Sequence, residues 1–341
     1  MKTKILFCLG MLWLLGNIPL AAQHKMVKLS NFDPAGYRVN SNTNTPYHPW
    51  AYANIWGDVI MDNDANLNRE YAFIGVSGWD SWVTNRGISV VDVTDPMNPY
   101  EAVFITCPAA DQRDFVTYTD PNSGRSYLYV VGEQDHTGMI IVDITDLPSS
   151  VTVLNSSYYT GSYNSTDANH AHNIQLDEST GKMVVCGTHL TSAFEMFMFD
   201  VAANPAAPVL IDALPTGGVS STYYAHDAYF NNDKLYASAI NNLPPFVGSI
   251  GIFDTQVSGN RFDYIGGVNP YPSDQTPAIP LTMLNHVVHD IYASADHTKL
   301  VTSDEHVLGQ AIFWDVSNPS SPFETDRYGG HTTGPDSWDT V

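Results

Sequence analysis

Ile88-Ser-Val-Val-Asp92-Val-Thr-Asp-Pro96 is the stretch from which the fold can be read, because its design returns four more times. It recurs as Met139-Ile-Ile-Val-Asp143-Ile-Thr-Asp146, Met196-Phe-Met-Phe-Asp200-Val201, Ile250-Gly-Ile-Phe-Asp254 and Ala311-Ile-Phe-Trp-Asp315-Val-Ser-Asn-Pro319. The Asp residues stand 51, 57, 54 and 61 positions apart. Self-similarity at such a period marks a repeat architecture, in which each unit buries its apolar face only against its neighbours.

Working outward from each Asp, two further strand-like runs precede it. They are Ile55–Met61 and Tyr71–Val76, Asp114–Tyr118 and Ser126–Gly132, His172–Leu176 and Lys182–Gly187, His226–Phe230 and Lys234–Ile240, and His289–Ser294 and Lys299–Ser303. A short run follows each: Glu101–Ile105, Thr152–Asn155, Val209–Ala213, Phe262–Gly266 and Glu324–Tyr328. All are rich in Val, Ile, Phe and Tyr and are bounded by turn residues such as Asp177-Glu-Ser-Thr-Gly181, which is the pattern of strands. About four strands per repeat without an amphipathic helix predicts an all-β propeller of five recognisable blades. A sixth blade, incomplete or missing at the C-terminus, is left open.

The ends set the rest of the organisation. Lys2 and Lys4, the apolar stretch Ile5–Leu15 and the small-residue end Leu20-Ala21-Ala22 have the order of a secretory signal peptide. Residues 1–22 are therefore read as the signal, 23–45 as an N-terminal extension, 46–335 as the propeller and 336–341 as a truncated tail. Gly16, Asn17 and Pro19 interrupt the apolar run, so it falls short of the roughly 20 residues of a membrane span. Of the three cysteines, Cys107 and Cys186 lie beyond the signal, in different repeats. Stability is expected from apolar burial and not from a disulfide framework. The formal charge of −22 argues against nucleic acid and anionic membranes, whose phosphates attract Lys and Arg. It is compatible with divalent cations, and a monomeric propeller is expected.

The first strands carry a second pattern. Three of them open on His172-Asn173, His226-Asp227 and His289-Asp290, and a fourth on Arg113-Asp114. First strands line the channel of a propeller, so these positions are expected to converge near one end of the axis. His172, His226, His289, Asp227 and Asp290 are thus candidate ligands for a divalent metal. They are also candidate acid–base groups, or hydrogen-bonding ties between blades. Glu133, His189 and Asp304-Glu305-His306 end the second strands. A second candidate, for calcium, is Asp62-x-Asp64-x-Asn66-x-Asn68-x-Glu70, whose alternating oxygens suit that ion. Leu67 stands where a calcium loop places Gly, and an acidic hairpin turn is the competing reading. No His-Glu-x-x-His pair and no Gly-x-Ser-x-Gly elbow is present. Ser77-Gly-Trp-Asp-Ser-Trp82, Tyr158, Tyr159 and Tyr163, and Pro270–Pro280 are candidate binding loops.

Several segments together resemble the secreted bacterial proteins with LVIVD repeats, the choice-of-anchor B family. They are Asn54-Ile-Trp-Gly57, Glu70-Tyr-Ala-Phe-Ile-Gly75, Val91–Pro96 with Asn98-Pro99, Ala171-His-Asn-Ile174, Tyr224-Ala-His-Asp227 and Ser303-Asp-Glu305. The resemblance covers residues 45–335. It implies an exported propeller without an assigned chemistry and a further repeat beyond the fifth. The expected function is a binding or interaction module for an extracellular protein, peptide or glycan. The alternative is a metal-dependent hydrolase or polysaccharide lyase built on the channel histidines.

Overall fold

The computed structural model describes residues 28–32, 52–76, 86–106, 112–132, 139–155, 171–188, 194–215, 224–231, 233–240, 249–258, 261–268, 288–304 and 310–329. The chain divides into Met1–Asn31 and Phe32–Val341, and every described strand belongs to the second unit. Five four-stranded antiparallel sheets follow one another in chain order. The first blade is β1 (Tyr52–Asp62), β2 (Leu67–Val76), β3 (Gly87–Asp92) and β4 (Tyr100–Thr106). The second is β5 (Gln112–Thr119), β6 (Ser126–Gly132), β7 (Ile140–Asp143) and β8 (Thr152–Val153). The third is β9 (Asn173–Asp177), β10 (Lys182–Cys186), β11 (Phe194–Asp200) and β12 (Val209–Pro215). The fourth is β13 (Tyr224–Asn231), β14 (Lys234–Ile240), β15 (Ser249–Asp254) and β16 (Asp263–Val268). The fifth is β17 (Val288–Ala293), β18 (Lys299–Asp304), β19 (Gln310–Asp315) and β20 (Phe323–Gly329). Each strand pairs only with its neighbours in sequence, as an up-and-down meander.

The repeated apolar run is the third strand of each blade, and its composition follows from its position. Successive side chains point to opposite faces of a sheet, and in the second, third and fourth blades both faces are covered by another blade. Ile141 packs into the core between the second and third blades, while Ile140 and Val142 pack between the first and second. Phe197 and Phe199 face back to the second blade, while Met196 and Met198 face forward to the fourth. A fourth core joins the fourth and fifth blades around Tyr236, Ile252, Ile312 and Trp314. Among the described residues, no core joins the fifth blade to the first. Ile55 and Val59 of β1 are 63% and 53% exposed, and Tyr292 and Phe313 of the fifth blade 61% and 42%.

The motif Asp closes the blade rather than reaching the channel. Oδ1 of Asp92, Asp143, Asp254 and Asp315 accepts the amide two residues later, at 2.7–3.0 Å. Three of these carboxylates also hold a cation from the second-strand hairpin: Arg69 for Asp92, Arg125 for Asp143 and Lys299 for Asp315. The exit turn then packs on the preceding blade. Tyr129 Oη donates to the Pro205 carbonyl at 2.8 Å, and Ser320 Oγ to that of Ile265 at 3.0 Å. A Cβ on Gly266 would lie 1.7 Å from the Pro319 carbonyl oxygen, so only glycine admits that approach.

Several strand limits differ from the sequence expectation, β1 starting at Tyr52 and β16 reaching Val268 among them, and two of the differences have a clear local reason. β2 starts at Leu67, because Asp62 closes the hairpin by accepting the amides of Asp64 and Ala65 at 3.0 and 2.9 Å. β8 is only two residues long. The Asn155 side chain continues its ladder, accepting the Ile141 amide at 2.8 Å and donating to the Met139 carbonyl at 2.9 Å.

Candidate functional site at the channel mouth

The inner strands enter their blades through irregular pairing. Register shifts fall between Tyr52 and Ile55, Gln112 and Asp114, Ala225 and Asp227, and Val288 and Asp290. Bulges re-aim side chains at sheet ends. Here they place Arg113, His226 and His289 at equivalent positions, each followed by an aspartate. In β9 the His172 amide joins the ladder at the Cys186 carbonyl, at 2.9 Å.

The three histidines meet as expected. The rings of His172 and His226 lie 4.1 Å apart by centroid, and so do those of His226 and His289. His226 Nδ1 is 3.0 Å from the His289 carbonyl. A carbonyl only accepts, so Nδ1 carries the proton and Nε2 the lone pair. Burial, followed by the charges of His172 and His289, pushes His226 down to about 2, so it stays a neutral imidazole. His289 Nδ1 sits 3.0 Å from Asp290 Oδ1. One ligand atom from each of His226, His289 and Asp290 lies within 4.8 Å of the other two.

Asp227 leaves this group. Its Oδ1 accepts the Ala228 amide at 2.7 Å and its Oδ2 the Ile291 amide of the next blade at 3.0 Å. Asp114 repeats the arrangement, with the amides of Phe115 at 2.8 Å and Ile174 at 3.0 Å; Asn54 donates to it from the first blade. Burial pushes Asp114 up to about 7 and Asp227 up to about 8, although the amides favour the charged form. The equivalent position of the fifth blade is Asp290. The Ile291 amide is already taken by Asp227, so Asp290 turns to His289 and to Ser303 Oγ, at 3.4 Å. Burial opposes its charge, but the hydrogen bond and charge of His289 prevail and hold it below the usual carboxylate range.

A cleft of about 640 Å³ runs along the inner strands from Asp227 and Asp290, which follow two of the histidines, and Trp56, Gln175, Tyr229, Tyr292 and Ser303 are among its other lining residues. The rings of Tyr229 and Tyr292 lie 4.4 Å apart by centroid with their planes tilted by 49°, and Trp56 Nε1 donates to Thr117 Oγ1 at 2.8 Å. Sequence reading missed these groups, yet their signal is present. Trp56, Gln175, Tyr229 and Tyr292 stand three residues after Ala53, His172, His226 and His289, in the inner strands of four different blades.

The calcium candidate is a hairpin turn. Asp62 accepts Arg69 Nε at 2.7 Å besides its two amides. Asn66 takes the left-handed turn conformation at φ 51°, and Asn68 lies across from Met61 in the ladder. Asp64 is exposed. Glu133, His189, Glu305, His306, Ser77–Trp82, the three loop tyrosines, Pro270–Pro280, the signal and the tail lie outside the described residues.

Comparison with known proteins agrees with this geometry. The LVIVD repeat family matches residues 313–329, the end of β19 through β20. No curated protein matches the chain. The solved structure of Pseudomonas aeruginosa periplasmic gluconolactonase, PpgL, is similar at a TM-score of 0.56 and 14% identity, over 79% of this chain and 71% of that one. The β-propeller domain of Myceliophteria thermophila Cps50 (Swd1) is similar at a TM-score of 0.45 and 8% identity, over 81% of this chain and 74% of that one. The chain is thus a propeller repeat protein with an LVIVD repeat in its fifth blade. No helix among the described residues is long and apolar enough to cross a membrane.

Proposed function

We propose that this propeller is an exported binding module that takes a peptide or glycan from the extracellular medium into the cleft at its channel mouth. One observation carries the reading: equivalent positions of four blades deliver Trp56, Gln175, Tyr229 and Tyr292 to a single cleft of about 640 Å³. That size suits a ligand of a few residues or sugar units. Aromatic side chains beside a carboxylate, an amide and a hydroxyl offer apolar platforms and hydrogen bonds together, as amphipathic ligands require. The leader-like residues 1–22 support export.

The test is a calorimetric screen of short peptides and oligosaccharides against the purified protein. A ligand that binds the wild type should lose about tenfold or more in affinity with Tyr292→Ala, since removing one aromatic anchor costs on the order of 2 kcal/mol. Tyr292 is exposed, so the fold should survive its truncation. Binding that ignores Tyr292, or a screen without any ligand, counts against the cleft.

The histidine group favours a second reading, metal-dependent hydrolysis. Turnover of a lactone, ester or polysaccharide that requires added metal and is lost in His289→Ala would select it over binding alone.

A further inference from the structure

We infer that His226, His289 and Asp290 form a binding site for one divalent transition-metal ion of the zinc class. Two imidazole nitrogens and one carboxylate oxygen make a donor set suited to such ions, whereas calcium and magnesium take oxygen ligands. The inference goes beyond the cleft reading, because it concerns the metal alone.

The positions are close to those a metal requires. Ligands at about 2.0–2.1 Å from a tetrahedral zinc stand about 3.3 Å apart. Without an ion, His289 Nδ1 and Asp290 Oδ1 share a hydrogen bond at 3.0 Å, whose proton a bound metal would displace, and one ligand atom from each of the three residues falls within 4.8 Å of the others. Small side-chain rotations therefore suffice.

The surroundings are arranged in the way metal sites support their ligands. A ligating histidine donates its other ring N–H to a carbonyl or carboxylate, which fixes its tautomer. His226 does so to the His289 carbonyl at 3.0 Å. Ser303 Oγ reaches Asp290 Oδ2 at 3.4 Å and orients the carboxylate. The Asp227–Ile291 and Ser238–His289 hydrogen bonds, both 3.0 Å, hold the fourth and fifth blades in place beneath the group. Burial grades outward from buried His226 through half-buried His289 to exposed Asp290. An ion thus has an entry path, through the cleft that Asp290 also lines. The net charge of −22 favours the approach of a cation.

The test uses the full chain, stripped with a chelator and titrated with zinc by calorimetry and with cobalt by visible absorption. The wild type should bind one zinc per chain, and cobalt should show the intense bands of a nitrogen-ligated tetrahedral site. His289→Ala and Asp290→Asn should each weaken zinc binding by about tenfold or more; Asp64→Asn, on an exposed turn, should leave it unchanged. Asp290 lies outside the inter-blade ties, so its variant keeps the fold, which an unchanged unfolding midpoint checks. The inference is overturned if the wild type takes up no stoichiometric zinc, or if the channel variants and Asp64→Asn bind alike. Cleft binding of an organic ligand is read separately and can stand if the metal result fails.

Discussion

Asp227 Oδ2 accepts the backbone amide of Ile291 across the boundary between the fourth and fifth blades, at 3.0 Å. Asp114 does the same to Ile174 between the second and third. These carboxylates tie strands about 60 residues apart in sequence, at the end of the channel where the histidines gather.

Removing such a tie leaves amides buried without an acceptor. Asp114→Ala is expected to cost about 1–3 kcal/mol of stability. Asp114→Asn should cost less, since its carbonyl keeps one of the two amides. Asp290→Asn, outside any such tie, should change stability by about 0.5 kcal/mol or less. Urea denaturation of the three variants checks this order; equal losses at Asp114 and Asp290 would contradict it.

The tie also makes stability depend on pH. Burial raises Asp114 to about 7, against about 3.9 for an exposed aspartate. Between those values the folded chain keeps a proton that the unfolded chain has released. The contribution of Asp114 is therefore fully present below about pH 4 and is lost as pH rises through about 7. The charge of Asp290 pushes in the same direction. Asp114→Asn has no proton to lose, so its stability should fall less steeply than that of the wild type between about pH 4 and 7. Parallel profiles from denaturation across that range would contradict the assignment.

The motif Asp should matter according to its burial. Asp92 is buried and accepts Arg69 Nη1 at 3.1 Å, Tyr100 Oη at 3.0 Å and the Thr94 amide at 2.9 Å. Asp92→Ala is expected to cost on the order of 3 kcal/mol, the scale of a broken buried ion pair. Asp315 pairs with an exposed Lys299 at 2.6 Å, and loss of that solvent-screened ion pair should cost much less. Lys299→Met, which loses the Asp315 pair, and Arg69→Met, which loses the pairs with both Asp62 and Asp92, are compared by thermal unfolding; a larger loss at Lys299 would reverse the ranking.

The blades were legible because the third strand of each middle blade is covered on both faces. That requirement writes Ile-Ile-Val-Asp143 or Phe-Met-Phe-Asp200 as a continuous apolar run with a polar stop. Convergence of His172, His226 and His289 was legible too, since rotation about the channel brings equivalent positions together. The division of labour between Asp227 and Asp290 was not. Both follow a histidine, and only the partner of the Ile291 amide separates them. The aromatic cleft was missed because Trp56, Gln175, Tyr229 and Tyr292 differ in type. Their kinship lies in their equivalent position on the inner strand, which composition does not display. The acidic run at Asp62 suggested calcium because spacing alone cannot show that Arg69 and two amides engage its first carboxylate.

Whether the channel mouth is a built site is tested most directly by anomalous diffraction from crystals of the wild-type protein soaked in zinc. The expected result is one strong peak per chain, about 2.0–2.1 Å from nitrogens of His226 and His289 and an oxygen of Asp290. Zinc found only on exposed carboxylates elsewhere, with no peak between these three side chains, would contradict it.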